Sequence, residues 1–425
     1  MTALASRRRS HTVRGAAIVA GALVVAMLLT AGGVATLARS TIGAEVETGA
    51  AVSPRLPFTA TAFIGLVDDD GVLRSAAMLV LDPDGIGGSI VPVEATADIA
   101  SNRSVEVIPL AAGLASGGVD LLRLDAESLT GVSFDLVTVL DASEFAELLE
   151  PIGLVNVELE TGVSDDSTGR RWSAGAATLA PESVAALLVT HADGVESASL
   201  ARLRAEIWDG IAAAVGDGLD SLKGVFVTGE LDPRAVPATI RSFWRRLLAG
   251  EIGSRPLRVE PLAPERVPTG TEVTFHDWSE TLLVSAHVAP TRVAAPLDAA
   301  TVRLVVPFGL DDSVAADLTP TDIAISAIDR MVLAGLNVIS VSVSFDGSSS
   351  VTPPEATQVW VGDEARVTDA AASFALLVGD VTALVGDYRI DGVDVIIVLG
   401  RDFIDDLDRD IRPFLEGSIF EADRG

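Results

Sequence analysis

Between Arg14 and Arg39 the chain runs from Gly15 to Ala38 without one charged residue, and no other feature limits its folding as strongly. As a helix rising about 1.5 Å per residue, this run reaches roughly 35 Å, enough to cross a hydrocarbon core about 30 Å thick. Arg7, Arg8, Arg9 and Arg14 precede it, whereas Arg39 and then Glu45 and Glu47 follow. Positive flanks stay on the cytoplasmic side of a span, so the N-terminus is expected inside and the C-terminus outside. The expectation is a single-pass protein of the cell membrane, anchored through residues 15–38, with an extracytoplasmic body. A cleaved signal peptide is the competing reading, but its apolar core runs only about 7 to 15 residues before a small-x-small site. The longer run and the junction Leu37-Ala38-Arg39 favour the anchor, and either reading exports the body.

That body is acidic. The formal net charge of the 425 residues is −30, and Lys223 is the one lysine. Acid of this strength repels nucleic acid and anionic headgroups, so no nucleic-acid partner is expected, and solubility accounts for the charge. Hydrophobic residues make up 49% of the chain, enough for substantial cores, and the length suggests two or three domains. With no cysteine, disulfides, thiolate metal sites and cysteine nucleophiles are excluded together.

Patterning divides the chain into a basic stub (1–14), the apolar run (15–38), a linker (39–57), a first domain (58–290), a second linker (291–300), a smaller domain (301–405) and an acidic tail (406–425). In the first domain, Ala62 to Val67, Ala77 to Leu81 and Ser89 to Val93 read as strands. Asp82-Pro83-Asp84-Gly85 carries strong turn chemistry, so the last two are expected to form a hairpin, with Gly85-Ile86-Gly87-Gly88 as a turn and not a phosphate cradle. Helices are expected after Asp141, from Pro181, along the stripe Leu200, Leu203, Ile207 and Ile211, and from Pro237 to Leu248. In the last, Arg241, Arg245 and Arg246 suit the helix C-terminal half. Thr281 to Val288, in a proline-rich stretch, reads as a strand. From Thr301 the order becomes β-α-β-β-α-β: strand Val302 to Val306, a helix restarted at Thr319-Pro320, strands Val338 to Phe345 and Thr357 to Val361, a helix from Glu364 to Val378, and strand Val393 to Leu399. The fold class is α/β, mixed α+β.

Familiar catalytic signatures are missing. His11, His191, His276 and His287 are the four histidines, and none has a second histidine at ligand spacing. No phosphate-loop or Gly-x-Ser-x-Gly pattern occurs, and His276-Asp277-Trp278 reads as a loop or strand edge before it reads as part of a triad. Asp165-Asp166 and Asp311-Asp312 are acid pairs of a kind that binds divalent cations, but solvated turns or a helix N-terminus account for both more simply.

Two stretches resemble known proteins. Thr357, Val359 and Val361, then Ala371, Ala375 and Gly379, and finally Asp394-Val395-Ile396-Ile397-Val398-Leu399-Gly400-Arg401-Asp402 resemble the C-terminal module of LytR-CpsA-Psr cell-envelope proteins. Residues 58–290 resemble a degenerate form of that family's main domain. Arg74-Ser75-Ala76-Ala77 parallels its Arg-Ser-Asp-Thr strand, and Ile90-Val91-Pro92-Val93-Glu94 parallels its Ser-Ile-Pro-Arg-Asp segment. Gly117-Gly118, Leu129 to Val132 and Ile152 to Val157 follow in the family's order.

The resemblance implies transfer of a glycopolymer from a polyprenyl pyrophosphate to peptidoglycan, with acidic residues holding Mg²⁺ and arginines holding the diphosphate. Such chemistry needs cationic groups aimed at phosphoryl oxygens. Here the family's metal-binding Asp corresponds to Ala76, its second-motif Arg to Val93, and its Arg-x-Arg to Thr190-His191-Ala192. Asp68, Asp69, Asp70 and Arg74 remain as remnants of a metal and phosphate site, with Arg202 and Arg204 near another family arginine but also suited to the solvent face of the Leu200 helix. Each lost electrostatic group costs about 10² to 10³ in rate. The expectation is a non-catalytic relative without a cofactor that binds polyprenyl phosphate lipid, wall glycan or envelope-assembly proteins. The alternative is a working Mg²⁺-dependent phosphotransferase.

Overall fold

The computed structural model describes residues 55–411 apart from 100–106, 166–167, 192–194, 196, 227–231, 233, 263–272, 296–298, 310–317, 346, 348–351, 363–366, 387–389, 408 and 410. The apolar run at 15–38 lies outside the described residues, and among those no helix is long and apolar enough to cross a membrane. The chain is a mixed α/β protein with two compact units, Pro57–Val293 and Ala294–Gly425, the latter counted with the residues before Pro57.

The first unit opens with a meander of β1 (Thr61–Val67), β2 (Leu73–Leu81) and β3 (Gly88–Glu94), in which β2 pairs antiparallel with both neighbours. The expected turn joins β2 to β3, with the Gly85 N–H donating to Asp82 O at 2.8 Å. Gly87 and Gly88 donate to Arg246 O and Glu251 O, so these glycines seat the neighbouring chain and cradle nothing. A β-carbon on Gly88 would stand 2.0 Å from Val80 O.

Next, α1 (Leu110–Thr130) leads to β4 (Leu136–Asp141), which returns parallel to β1, and α2 (Ala142–Leu149) starts at once. Asp141 caps α2 through the Glu144 N–H, while the Glu144 carboxylate takes the Asp141 N–H, a reciprocal pair that fixes where strand becomes helix. Strands β5 (Val155–Leu159), β6 (Val163–Asp165), β7 (Arg170–Trp172) and β8 (Gly175–Leu179) form nested hairpins, β5 with β8 and β6 with β7. Then come α3 (Pro181–Val189), α4 (Ser197–Val215), the single turn α5 (Asp220–Lys223) and α6 (Ile240–Leu247). Strand β9 (Ile252–Ser254) pairs parallel with β3, β10 (Val259–Pro261) pairs with β11 (Thr274–His276), and α7 (Trp278–Val288) ends the unit. The main sheet has the order β4-β1-β2-β3-β9.

Strand β1 is buried on both faces. Ala62, Ile64 and Leu66 point into a core with Phe145, Leu187, Ile207, Trp208 and Trp244. On the other face a β-carbon on Gly65 would meet Leu122 of α1, so helices cover both sides. Phe145 stands edge-on to Trp208 at 5.4 Å and to Trp244 at 5.9 Å, an aromatic cluster that joins α2, α4 and α6.

Two expectations are corrected here. Thr281 to Val288 is helix, not strand: Asp277 caps α7 by accepting from the Glu280 N–H at 2.9 Å. Every residue from Ser279 to Ala286 is buried, so no alternation marked the segment and the cap decided it. Thr239, not Pro237, starts α6, through a capping box with Ser242.

The second unit comprises β12 (Thr301–Val305), α8 (Pro320–Leu333), β13 (Asn337–Ser342), β14 (Thr357–Val361), α9 (Val367–Val378), β15 (Val381–Val385), β16 (Val395–Val398) and α10 (Arg401–Asp405), with sheet order β13-β12-β16-β14-β15. The expected β-α-β-β-α-β order gains β15, a short edge strand that starts two residues after Gly379, and α10. Gly400-Arg401-Asp402 has a structural role. A β-carbon on Gly400 would stand 2.4 Å from Ala356 C and Thr357 N, and Asp402 Oδ1 accepts from the Thr357 N–H at 3.0 Å. Buried Arg330 of α8 donates to the carbonyls of Leu377, Asp406 and Leu407 and pairs with the Asp406 carboxylate.

Replacing Phe145 by alanine empties the centre of the first core and should lower its stability by about 3–5 kcal/mol. Urea unfolding followed by tryptophan fluorescence, which reads the adjacent Trp208 and Trp244, checks this; an unshifted midpoint would show that the cluster does not hold the core.

Candidate functional site

Neighbouring parallel strands release their side chains at the same end of a sheet, and ligand crevices of open α/β sheets form at such carboxyl ends. Strands β1 and β4 are such a pair: beyond β1 come Asp68, Asp69 and Asp70, and at the end of β4 stand Asp141 and Ser143. All five line a cavity of about 610 Å³.

Arg74 reaches this cavity because the ladder slips. Leu66 pairs with Ser75 but Val67 pairs with Leu73, which leaves Arg74 as the extra residue of a β-bulge. A bulge re-aims a side chain. The Arg74 Nε donates to Asp68 Oδ2 at 2.6 Å, and Asp68 Oδ1 accepts from the N–H groups of Asp70 (3.0 Å) and Val72 (2.9 Å). Arg74 Nη1 lies 3.4 Å from His191 Nδ1. A guanidinium has only N–H groups to offer, so a hydrogen bond at this contact uses a lone pair on Nδ1.

The opposite wall comes from β6, β7 and α3: Asp165, Thr168 and Arg170, then Glu182, Ala186 and Val189. Asp165 is buried and accepts from the Thr168 hydroxyl at 2.8 Å. This corrects the sequence reading of Asp165 as part of a solvated turn. Asp141 is engaged as the α2 cap, and the Glu144 N–H and then the Ser143 hydroxyl hold its carboxyl below the usual carboxylate range. Six carboxylates and two guanidinium groups line the cavity, a formal excess of four negative charges with His191 neutral.

The structure therefore brings together Asp68, Asp69, Asp70 and Arg74, and leaves out Arg202 and Arg204. Arg202 is exposed and borders a separate cavity of about 380 Å³ with Glu206 and Arg258. Arg204, expected on the solvent face of α4, is instead buried: it meets Glu94 at 2.8 Å where α4 is covered by the ends of β3 and α3. Burial pushes the Glu94 carboxyl up, and Arg204 pulls it part of the way back. Ala76 and Val93 face one another across β2 and β3, both buried, and neither lines the cavity. Sequence reading passed over Arg170 and Glu182 and set Asp165 aside, because a nested hairpin and the following helix bring them to β1 from about a hundred residues away.

The Asp68 carboxylate is taken by one guanidinium and two backbone N–H groups, and among the described residues no group of three His, Cys, Asp or Glu stands together as a metal site.

His276, at the end of β11, is outside the cavity and almost fully buried. Burial pushes its imidazole down to about 4, and only the Arg258 backbone opposes the shift. An unfolded imidazole takes its proton near pH 6.5 and the folded one near 4, so the unfolded state binds more protons in between and stability falls as pH drops through that window. The loss should approach about 3 kcal/mol by pH 4. A His276→Leu variant should lack this component, and unfolding midpoints between pH 7 and 4.5 that run parallel in the two proteins would refute it.

No protein-family model and no curated protein matches this chain. Solved structures show similarity over about half of it. The crystal structure of B. subtilis TagV is 12% identical and covers 52% of this chain and 92% of its own, with a TM-score of 0.37. A structure of TagT bound to LIIa-WTA is 14% identical, covering 53% of this chain and 88% of that one at a TM-score of 0.38. A transcriptional regulator from Enterococcus faecalis is 15% identical, covering 54% and 85% at 0.37.

Proposed function

We propose that this chain is a membrane-anchored, extracytoplasmic cell-envelope protein related to the LytR-CpsA-Psr family, which holds a wall glycopolymer in the cavity at the ends of β1 and β4 and does not transfer it. The observation that carries this reading is the wiring of the cavity: Asp68 is closed off by Arg74 and two backbone N–H groups, and carboxylates outnumber guanidinium groups six to two. Developing charge on a diphosphate would meet net repulsion from these carboxylates.

Hydroxyl-rich ligands suit the same wall. A sugar hydroxyl both donates and accepts, and it meets carboxylates, guanidinium groups, the Ser143 and Thr168 hydroxyls and the His191 imidazole. The apolar lining comes from Ala142, Ala146, Ala186 and Val189, a small patch beside the polar wall, so we assign the cavity to the glycan and not to a prenyl tail. The sequence run 15–38 supports an anchor that keeps the protein at the membrane where such polymers are attached.

Isothermal titration of the full-length protein in detergent with soluble wall-glycopolymer fragments is expected to show saturable binding that Arg74→Ala weakens about tenfold, the scale of one charge-assisted hydrogen bond. Magnesium should leave that affinity unchanged. Turnover of a polyprenyl-pyrophosphate glycan donor with Mg²⁺, abolished by Arg74→Ala, would establish the transferase instead. A tag after Gly425 should be reached by impermeant protease on intact cells; protection from it would overturn the topology.

A further inference from the structure

Helix α3 ends on the cavity wall. Ala186 and Val189 line the cavity, and His191 lies two residues beyond the last helical position. The last carbonyls of a helix lack partners within it and need them from elsewhere. Thr190 supplies two: its hydroxyl donates to Ala186 O at 2.8 Å and its N–H to Leu187 O at 3.3 Å. Further donors come from the next helix. Arg204 Nε donates to Leu188 O at 3.3 Å, Nη2 donates to Thr190 O at 3.3 Å, and Nη1 donates to Glu94 Oε2 at 2.8 Å. Arg204 and Glu94 are 6% and 4% exposed, so solvent does not share these bonds.

We infer that Arg204 is a positioning residue for the cavity: its guanidinium, held by Glu94 at the end of β3, fixes the Leu188–Thr190 turn and so sets His191 against Arg74. The inference rests on the cavity being the binding site proposed above. A planar fork of five donors serves one carboxylate and two carbonyls at once, a geometry that a compact lysine ammonium does not match. A cation at this point also complements the C-terminal end of the α3 dipole. The chain of contacts runs from Glu94 through Arg204 and Thr190 to His191, and then to Arg74 and Asp68.

Removing one partner of a buried ion pair leaves an uncompensated charge, whereas replacing both by apolar residues of similar volume is often tolerated. The paired variant Glu94→Leu with Arg204→Met therefore tests position apart from folding. In the full-length protein its thermal melt should remain cooperative, while the His191 imidazole resonances, assigned with His191→Asn, should shift and broaden. Affinity for glycopolymer fragments should fall about tenfold, and adding Arg74→Ala should cost less than it does in the wild type, because coupled groups are not additive. Arg204→Lys keeps the charge opposite Glu94 but not the planar fork, and it should also shift the His191 resonances. Unchanged His191 resonances in a folded paired variant, or in Arg204→Lys, would overturn the inference. Absence of glycopolymer binding by the wild type would defeat the proposed function alone, since the resonances still decide whether Arg204 positions His191.

Discussion

The first unit depends on one strand with no solvent face. β1 is paired on both edges and covered on both faces, so Phe63, Ile64 and Leu66 are all fully buried. A strand so enclosed releases polar side chains only where it ends, and at that end Asp68 to Asp70 meet the residues delivered by its parallel neighbour β4. The cavity is thus a consequence of how the core is closed. The bulge at Arg74 is part of the same ending: it breaks the ladder one step before the turn and brings a cation to the carboxylate that the turn presents.

Both units use a buried arginine in the same way. Arg204 ties Leu188 O and Thr190 O to the Glu94 carboxylate, and Arg330 ties Leu377 O, Asp406 O and Leu407 O to the Asp406 carboxylate. Each guanidinium satisfies chain-end carbonyls that would otherwise be buried without donors, and a carboxylate neutralises it. In a chain with a single lysine, this rigid fork serves as the internal fastener, and buried arginines mark where separate elements are locked together.

Local chemistry was legible where it acts over a few residues. The Asp82-Pro83-Asp84-Gly85 turn, Pro181 at the first turn of α3, the Asp141 start of α2 and the Thr319-Pro320 start of α8 follow from dihedral preferences and caps that any chain would obey. The α1 helix was not legible, because Gly113, Gly117 and Gly118 interrupt its apolar spacing, and Gly118 is non-helical in fact. Thr281 to Val288 was read as a strand because a segment buried all round carries no period.

Half of the candidate site was visible as Asp68, Asp69, Asp70 and Arg74, since turn acids beside a strand-end arginine stand out in any apolar context. The other half was not assembled from sequence: Arg170 and Glu182 were not noticed, and Asp165 and His191, though noted, become neighbours of these residues only through hairpin nesting and helix packing. Arg204 differs: Leu200, Ala201, Ile207 and Trp208 stand at its i±4 and i±3 positions, so helical spacing already put it on the apolar face, and only the fold supplied Glu94 and the end of α3 to cover its charge. Turns, caps and the charge-free run at 15–38 are properties of consecutive residues, so the linear chain expresses them fully. Which face of a strand a bulge turns outward, and which arginine is buried, depend on residues distant in the chain, and only the folded packing settles them.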